Sequence, residues 1–310
     1  MEENFDLIRA QADLHQQYFI GLQLMVSTRE GPAAVREWMF HLFRRQHEEK
    51  FLSSFRKLGL DGLPDAVASA QYHVLSNTLG GVGVEFMAES DTKAWVRYRY
   101  PRWWLDGAAL CGVPVEAGDG FMRGWHANNG ASLGNPRLGF VCVSEDMTGE
   151  FGFCGYFKEF DHELSEVERL QFAKDERPPP FNPSAQPKPP AAEWDEARLA
   201  KAYRNYAVEF VRNSVTALTE TLGRVQAVER GVLAARLTGL QQYAHLAASV
   251  GAVDGGAHDA SRFLAAMFEG MGDEVETEHT EGRAVLRQSG LRIVRGMDGD
   301  ARDDLLRCWT

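Results

Sequence analysis

Residues 80–97 read Gly-Gly-Val-Gly-Val-Glu-Phe-Met-Ala-Glu-Ser-Asp-Thr-Lys-Ala-Trp-Val-Arg, and they decide the fold that we predict. Apolar and polar residues alternate on both sides of Ser90-Asp91-Thr92, which predicts two strands at 82–89 and 93–100 joined by a turn. The stretch at 269–287 repeats the pattern as Glu-Gly-Met-Gly-Asp-Glu-Val-Glu-Thr-Glu-His-Thr-Glu-Gly-Arg-Ala-Val-Leu-Arg. We therefore expect an internal repeat, in which two copies of one unit pack as a pseudo-dimer.

Corresponding positions of the two stretches carry the same residue types. The first contributes two glycines and two glutamates, and the second matches them: Gly81, Gly83, Glu85 and Glu89 with Gly270, Gly272, Glu274 and Glu278. A salt bridge with a repeated arginine, such as Arg97 or Arg287, is the simplest role for Glu85 and Glu274. His126 has no histidine counterpart in the second copy, where Thr310 aligns with it. This difference favours a function confined to the first copy.

A proline-rich segment separates the two copies. Residues 178–190 hold seven of the twelve prolines, which excludes helix and favours an extended polyproline conformation. We interpret the segment as a semi-rigid linker, with a docking motif for a proline-binding partner as the alternative. The predicted organisation is an N-terminal α+β unit at 1–175, a Pro-rich linker at 176–193 and a degenerate or truncated C-terminal unit at 194–310.

Helical spacing of apolar residues, and the residues that break it, predict the other elements. We expect an α+β fold, with two related units of helices packed on small antiparallel sheets. The predicted helices are 5–27, 32–58, one after Pro64, 117–130, 165–173, 195–222, 225–250, 258–268 and one from about Ala301. The further strands are 137–145, 150–160, 272–280 and 283–294.

Composition and charge restrict the classes of function. The chain has 310 residues, 44% of them hydrophobic and 25% charged, as in a globular protein of two domains. Its formal charge of −11 opposes binding to nucleic acid or anionic membranes, which require a basic surface. No apolar run reaches the roughly 20 residues that span a bilayer. The acidic N-terminus lacks the pattern of a secretory signal. The four cysteines are widely spaced and form neither a disulfide framework nor a metal motif, so we expect a reduced cytoplasmic location and no metal or other cofactor.

The densest concentration of arginine and aromatic residues is Arg97-Tyr-Arg-Tyr-Pro-Arg-Trp-Trp104. Arg99 and Arg102 would hold a substrate carboxylate through forked hydrogen bonds, because a guanidinium group matches the geometry of a carboxylate. Trp103 and Trp104 would cover the apolar part of the same substrate. This stretch is our candidate substrate-binding segment.

The same stretch has a purely structural interpretation. On a strand, Arg97 and Arg99 share one face, and Tyr98 and Tyr100 share the other. An exposed basic face above a buried aromatic face would result, with the two tryptophans anchoring the loop that follows. Both interpretations stay open at the level of sequence.

A second candidate stretch runs from Gly124 to Pro136. His126 is a candidate general acid or base, because the usual pKa of histidine lies near neutrality. Asn128 and Asn129 offer amide donors to a developing oxyanion, and Trp125 is a further binding or packing residue. The alternative is a structural histidine followed by an ordinary helix end at Asn129-Gly130.

Cys154 is the candidate nucleophile, because the glycines beside it in Gly-Phe-Cys-Gly would admit a ligand close to the backbone. A nearby base would have to lower its pKa, and His126 is the candidate for that role. The alternative is a small buried hydrophobic residue, which we also assign to Cys142. Cys111 is the second-choice thiol.

Two histidines on the second predicted helix do not form a metal motif. His41 and His47, with Glu48 and Glu49, match no zinc-binding spacing such as HExxH. We interpret this helix face as solvated.

The order of helices, a Gly-x-Gly-x-Glu entry, two strands, a Trp-containing helix and a second strand pair resembles the L-2-amino-thiazoline-4-carboxylic acid hydrolase-like family. The resemblance covers about residues 30–160, and less clearly 200–310. It rests on four segments: Gly81–Glu85, Lys93–Arg97, Arg123–Trp125 and Phe151–Cys154. It implies ring opening of a small cyclic amino acid and transfers no catalytic residue to this chain.

Two functions follow as hypotheses. The first is a metal-independent hydrolase or lyase acting on a small carboxylate-bearing cyclic or aromatic substrate, with His126 or Cys154 as the reacting group. The second is a non-catalytic ligand-binding or protein-interaction module. The enzyme requires His126 or Cys154 in an enclosed pocket, at a separation that suits one substrate. Homo-oligomerisation is open under both.

Overall fold

The computed structural model describes residues 4–99, 102–150, 152–190 and 194–309. Helices and two small sheets make up these ranges, so the predicted α+β class is confirmed. The helices are α1 (Phe5–Glu30), α2 (Pro32–Lys57), α3 (Asp65–Leu79), α4 (Ala109–Gly112), α5 (Glu116–Gly124), α6 (Asn129–Leu133), α7 (Glu196–Leu222), α8 (Arg224–Ser249), α9 (Gly256–Met271) and α10 (Gly299–Trp309). The strands are β1 (Val84–Ser90), β2 (Lys93–Tyr98), β3 (Leu138–Ser144), β4 (Cys154–Glu159), β5 (Leu170–Phe172), β6 (Glu274–Thr280) and β7 (Arg283–Ser289).

Two predicted helices differ from the structure. The helix expected at 117–130 is divided into α5, a 3-10 turn at His126–Asn128 and α6, so Asn129 begins a helix instead of ending one. The helix expected at 165–173 does not form. Glu168 does accept a hydrogen bond from the backbone N–H of Ser165, as in a capping box. The chain nevertheless turns into β5 there, because Leu170–Phe172 pairs with β3.

Contacts divide the chain into two compact units. The central unit runs from Val26 to Asp195, and the terminal unit joins the chain up to Met25 with the chain from Glu196 onward. From sequence, the first 25 residues were expected in the N-terminal unit. The described residues among them, 4–25, lie in the terminal unit with the helices and hairpin of the C-terminal part.

A five-stranded sheet in the order β1-β2-β4-β3-β5 forms the centre of the central unit. All neighbouring strands are antiparallel except β5, which runs parallel to β3. The expected purely antiparallel sheet is therefore mixed, because the chain reverses after β4 and pairs with the far edge of β3.

The central sheet has two faces with different contents, because successive side chains of a strand point to opposite sides. The inner face packs on α3, where His73 stacks on Phe157 with 5.2 Å between ring centroids. The outer face carries a cluster that includes Trp95, Cys154 and Tyr156. Residues three apart on β4, Cys154 and Phe157, therefore lie on opposite faces.

The proline-rich segment is bound to the central unit. The side-chain amide of Gln186 accepts a hydrogen bond from the backbone N–H of Phe86 and donates one to its carbonyl, both at 2.9 Å. A neighbouring strand would make the same pair of bonds, so Gln186 covers part of the open edge of β1. At the start of the segment, Glu176 accepts hydrogen bonds from Lys93 at 3.0 Å and from the Tyr156 hydroxyl at 2.7 Å. We call residues 176–190 the strap.

The same order of elements occurs twice along the chain. Helices α1 and α2, each of 26 residues, precede a shorter helix and a hairpin, and α7 and α8, of 27 and 26 residues, do likewise. Each long pair is joined by a glycine with positive φ, 86° at Gly31 and 77° at Gly223, a conformation that other residues rarely adopt. Common ancestry of the two halves stays a prediction.

The salt bridges expected of the repeated glutamates form in one half of the chain. In the central unit, Arg97 Nε donates to Glu85 at 2.7 Å, as predicted. In the terminal unit, Arg287 pairs with Glu278 rather than with Glu274. The two hairpins therefore arrange their charges differently.

Candidate functional site

Six buried polar residues form a cluster in the central unit, between the sheet and three helical segments. None of the six is more than 8% exposed. They come from different elements: His47 from α2, His73 from α3, Tyr98 from the end of β2, His126 and Asn128 from the 3-10 turn after α5, and Asn129 from the start of α6. We call them the histidine cluster. Buried polar groups are costly unless they are paired, so their partners decide what the cluster can do.

The Tyr98 hydroxyl lies between two imidazole rings. Its oxygen is 3.1 Å from Nδ1 of His73 and 3.2 Å from Nε2 of His126. The two rings stack with 4.1 Å between centroids and 7° between planes. A hydroxyl donates one hydrogen bond and accepts others, so it can donate to one imidazole and accept from the other.

Two asparagine amides connect the third histidine to this pair. Asn129 has its Oδ1 3.2 Å from Nε2 of His47 and its Nδ2 3.2 Å from Nε2 of His73. Asn128 places its Nδ2 3.2 Å from Nδ1 of His47. The amides that we considered for an oxyanion are therefore engaged with histidines inside the cluster.

Burial keeps the three histidines neutral. It lowers the pKa of His47 to about 4 and the pKa values of His73 and His126 well below the usual value. Neighbouring positive charge adds to the effect at His126, where His73 and Arg102 also disfavour protonation. Near neutral pH each ring therefore has one N–H donor and one acceptor nitrogen.

His126 has one ring nitrogen without a partner. Its Nδ1 is buried and forms no hydrogen bond with the described part of the chain. The Nε1 of the adjacent half-buried Trp125 is in the same situation. An unpaired buried polar atom costs free energy, so Nδ1 of His126 is the atom of the cluster still open to a ligand or a water molecule.

Arg102 is enclosed rather than available to a substrate. It is 3% exposed, and its Nη1 lies 3.0 Å from the carboxylate of Asp146. The centre of its guanidinium group is 4.2 Å from the ring centroid of Trp104 and 5.0 Å from that of Phe121, in a cation–π arrangement. The buried charge is thus neutralised by a buried carboxylate and surrounded by aromatic rings.

Arg99 lies on the other side of the sheet and is also paired. Its Nη1 is 2.8 Å from Oε1 of Glu85, whose other oxygen binds Arg97. The two arginines share one face of the hairpin, as the alternation predicts, whereas Tyr98 is buried on the opposite face. Tyr100 lies outside the described residues. The expected carboxylate clamp of Arg99 and Arg102 is wrong, because the two side chains have separate partners on separate faces.

Two of the three candidate tryptophans pack against neighbouring side chains, and the third is half-buried in a turn. Trp104 is buried against Arg102, and Trp103 begins the 3-10 turn at 103–105 in a half-buried position. Trp125 is half-buried against the cluster of apolar residues around Phe51 and Tyr72. Packing was the alternative that we kept open for these residues.

Cys154 and His126 do not lie together. His126 contacts the inner face of the sheet, with 4.5 Å between its ring centroid and that of Phe140, whereas Cys154 belongs to the outer face. Burial raises the pKa of Cys154 to about 12. The expected pairing of His126 as base with Cys154 as nucleophile is wrong, because the sheet separates them and the thiol stays protonated near neutral pH. Of the four cysteines, Cys111 is exposed.

Sequence reasoning missed His47, His73 and Tyr98 as members of the cluster. The prediction of a solvated face for His47 is wrong, since this residue is 1% exposed. His73 could have been predicted as buried, because it lies in the apolar run Tyr-His-Val-Leu of α3, where a solvated residue would be unusual. A histidine in such a run requires a buried partner.

No metal site was found among the described residues, where no three His, Cys, Asp or Glu side chains are arranged to hold an ion. The described helices also include none that is long and apolar enough to cross a membrane. Comparison with known proteins gives no relative: no family model, curated protein or solved structure matches the chain. The resemblance to the hydrolase-like family therefore stays a prediction.

Proposed function

We propose that the chain is a non-catalytic ligand-binding or protein-interaction module. The observation that supports this function best is the separation of His126 and Cys154 by the central sheet, with both side chains buried. A nucleophile and its base need to be within hydrogen-bond reach of each other. Neither group has that geometry, and neither has a pKa suited to proton transfer near neutral pH.

The arginines support the same proposal. A site that binds a small carboxylate needs a cation whose charge is not already neutralised. Arg99 pairs with Glu85, and Arg102 pairs with Asp146 inside an aromatic enclosure. Under this proposal the histidine cluster and the Arg102 enclosure stabilise the central unit, and binding occurs at the surface.

Alkylation of the folded protein tests the proposal. Iodoacetamide reacts with thiolates, so at neutral pH we expect it to label the exposed Cys111 and to leave Cys154 unlabelled until the protein is unfolded by guanidinium chloride. Peptide mass spectrometry measures the alkylation of both cysteines in one sample, and Cys111 is the internal control. Labelling of Cys154 faster than Cys111 in the folded state would reveal an activated thiolate and overturn the proposal.

The small-molecule hydrolase or lyase is the second candidate function. It is supported by the partnerless Nδ1 of His126, on the ring whose Nε2 contacts the Tyr98 hydroxyl, because this nitrogen could form a hydrogen bond with a bound substrate. Turnover of a small cyclic amino acid that is lost in His126→Gln and kept in His162→Gln would support it. His162 is exposed and far along the chain from the cluster, so it is the matched control.

We also propose a cytoplasmic location and partners other than nucleic acid. The formal charge of −11 supports the second point, because phosphate backbones attract basic surfaces. The three buried cysteines and one exposed cysteine, none of them in a disulfide, suit a reducing compartment.

A further inference from the structure

Helix α8 of the terminal unit is apolar on two opposite faces. One face is buried: Ala227, Gly231 and Ala234 pack inside the unit, where a Cβ at Gly231 would lie 2.5 Å from the sulfur of Cys308. The other face is exposed, with Val225 and Leu240 each 84% accessible. The described part of the chain therefore leaves these two apolar side chains largely uncovered.

Apolar residues form a stripe along one side of α8. Val225, the half-buried Leu233, Leu237, Leu240 and Tyr243 recur at intervals of three, four or eight residues, which keeps them on one side of the helix together with Glu229 and Arg236. The ring of Tyr243 packs on Phe263 of α9, with 5.1 Å between ring centroids. From Val225 to Tyr243 the stripe is about 27 Å long, since a helix rises about 1.5 Å per residue. That length accommodates a partner helix of about five turns.

A groove lies along the first half of this stripe, between α8 and α10. Its volume is about 750 Å³, and its apolar lining consists of Val225, Val228, Val232 and Leu233. Charged residues of both helices form the rest of the lining: Arg224, Glu229, Arg236, Asp304 and Arg307. An apolar floor with a charged rim is the form of a site for an amphipathic helix.

Some charged residues of the rim form ion pairs and others do not. Arg224 forms ion pairs with Asp300 and Asp304, and Glu229 lies 3.0 Å from Arg230 on its own helix. Arg236 and Arg307 are exposed and have no carboxylate within salt-bridge distance in the described part of the chain. The unneutralised charge beside the apolar floor is therefore positive.

We propose that the groove between α8 and α10, together with the exposed stripe of α8, binds an acidic amphipathic helix of another protein. Apolar side chains of that helix would cover the stripe, and its carboxylates would pair with Arg236 and Arg307. A second copy of this chain fits less well. Two copies packed through this face would bring Arg236 and Arg307 of one copy towards the same arginines of the other. This inference rests on the proposed binding function and specifies its site and partner.

Fluorescence anisotropy with designed peptides tests the site on the full chain. The probe is a labelled helical peptide of about 18 residues with Leu at the helical a and d positions and Glu at the flanking positions. Its counterpart carries Lys in place of every Glu. We expect saturable binding of the Glu peptide, weakened by added salt, and no binding of the Lys peptide. Equal binding of both peptides, or no binding of the Glu peptide, overturns the inference.

Substitutions in the groove locate the binding. We expect Arg236→Glu and Leu240→Asp each to weaken binding of the Glu peptide about tenfold or more, because each removes a contact of the rim or the stripe. The matched controls are Arg283→Glu on β7 and Val253→Asp in the loop after α8, both exposed residues outside the groove, and they should not change the affinity. Loss of affinity in the controls to the same extent would contradict the assigned site.

Size-exclusion chromatography with light scattering tests whether a second copy of this chain binds the stripe. A dimer that dissociates on Leu240→Asp would show that a second copy covers the stripe, and this overturns the proposal of a foreign helix. The test is independent of the alkylation experiment. If Cys154 is unreactive and the peptide does not bind, the assigned site is contradicted and the proposed binding function is not. If Cys154 is reactive, the proposed binding function itself is contradicted.

Discussion

The hydroxyl oxygen of Tyr98 lies 3.2 Å from Nε2 of His126, so a tyrosine at the end of β2 and a histidine in the turn after α5 share a hydrogen bond in the interior of the central unit. The same oxygen contacts His73, so Tyr98 links the sheet by hydrogen bonds to α3 as well as to the turn after α5. The pairing fixes the position of the His126 turn on the sheet. Loss of the Tyr98 hydroxyl oxygen would therefore break the hydrogen bonds to both histidines.

Tyr98→Phe should lower the free energy of unfolding by about 1–3 kcal/mol, because two buried imidazole nitrogens lose their partner. Urea unfolding followed by fluorescence measures the change. The control is Tyr243→Phe at a residue that is 41% exposed, and we expect it to alter stability by less than about 0.5 kcal/mol, because it keeps the ring and removes only the hydroxyl. Equal stability of both variants would contradict the role of Tyr98 in the cluster.

The stability of the protein should fall as the pH is lowered through the usual pKa of histidine. Burial lowers the pKa values of His47, His73 and His126 in the folded protein, so the unfolded chain binds protons that the folded state does not. Their stabilising contribution is full above about pH 6.5 and is lost progressively below it, by about 1.4 kcal/mol per pH unit for each histidine. Burial also lowers the pKa of His15 in α1, to about 4, so the limiting slope for the four buried histidines is about 5 kcal/mol per pH unit.

Urea unfolding at a series of pH values measures this slope. His47→Gln should reduce it by the share of one histidine, because the variant no longer takes up that proton on unfolding. His162→Gln replaces an exposed histidine and should leave the slope unchanged. A free energy of unfolding that is constant between about pH 7 and pH 5 would contradict the burial of neutral histidines.

Much of the fold could be predicted from sequence because its elements have strong local signals. The long helices follow apolar residues at helical spacing, and the hairpin of β1 and β2 follows strict alternation around Ser90-Asp91-Thr92. Leu170–Phe172 was mispredicted as helix because its conformation depends on pairing with β3, a contact that no local pattern records. The fold class therefore followed from periodicity, and the sheet order did not.

The candidate site could be predicted only in part. His126, Asn128 and Asn129 were recognised from an unusual local composition, and they do belong to one cluster. The face on which Cys154 lies depends on the register of β4, which sequence spacing leaves undetermined. His47 looks solvated in sequence because glutamates follow it, whereas in the structure it is buried where α2 packs against the turn after α5.

The attachment of the strap gives a third prediction. Gln186→Ala removes both hydrogen bonds to Phe86 and uncovers the edge of β1, and we expect a loss of about 1–2 kcal/mol in the free energy of unfolding. Limited proteolysis should cut the strap faster in this variant. Gln241→Ala, an exposed glutamine of α8, is the control and should be cut at the wild-type rate. Unchanged protection of the strap would show that Gln186 does not hold it.

The contact of α5 with α2 gives a fourth prediction, which compares two helical glycines. A Cβ at Gly120 would lie 2.3 Å from the carbonyl oxygen of Arg36, so Gly120→Ala forces two helix backbones apart. We expect a loss of about 1–3 kcal/mol, because overpacked sites relax only partly.

Gly239 of α8 is the matched control, because a Cβ there meets no atom within 4 Å. Gly239→Ala should raise the free energy of unfolding by about 0.5–1 kcal/mol, since alanine favours the helical backbone more than glycine does. The two substitutions add the same methyl group to a helix, and they should therefore shift thermal unfolding in opposite directions. Stabilisation by both would mean that α5 does not pack closely on α2, and the position of the His126 turn at the end of α5 would lose its support.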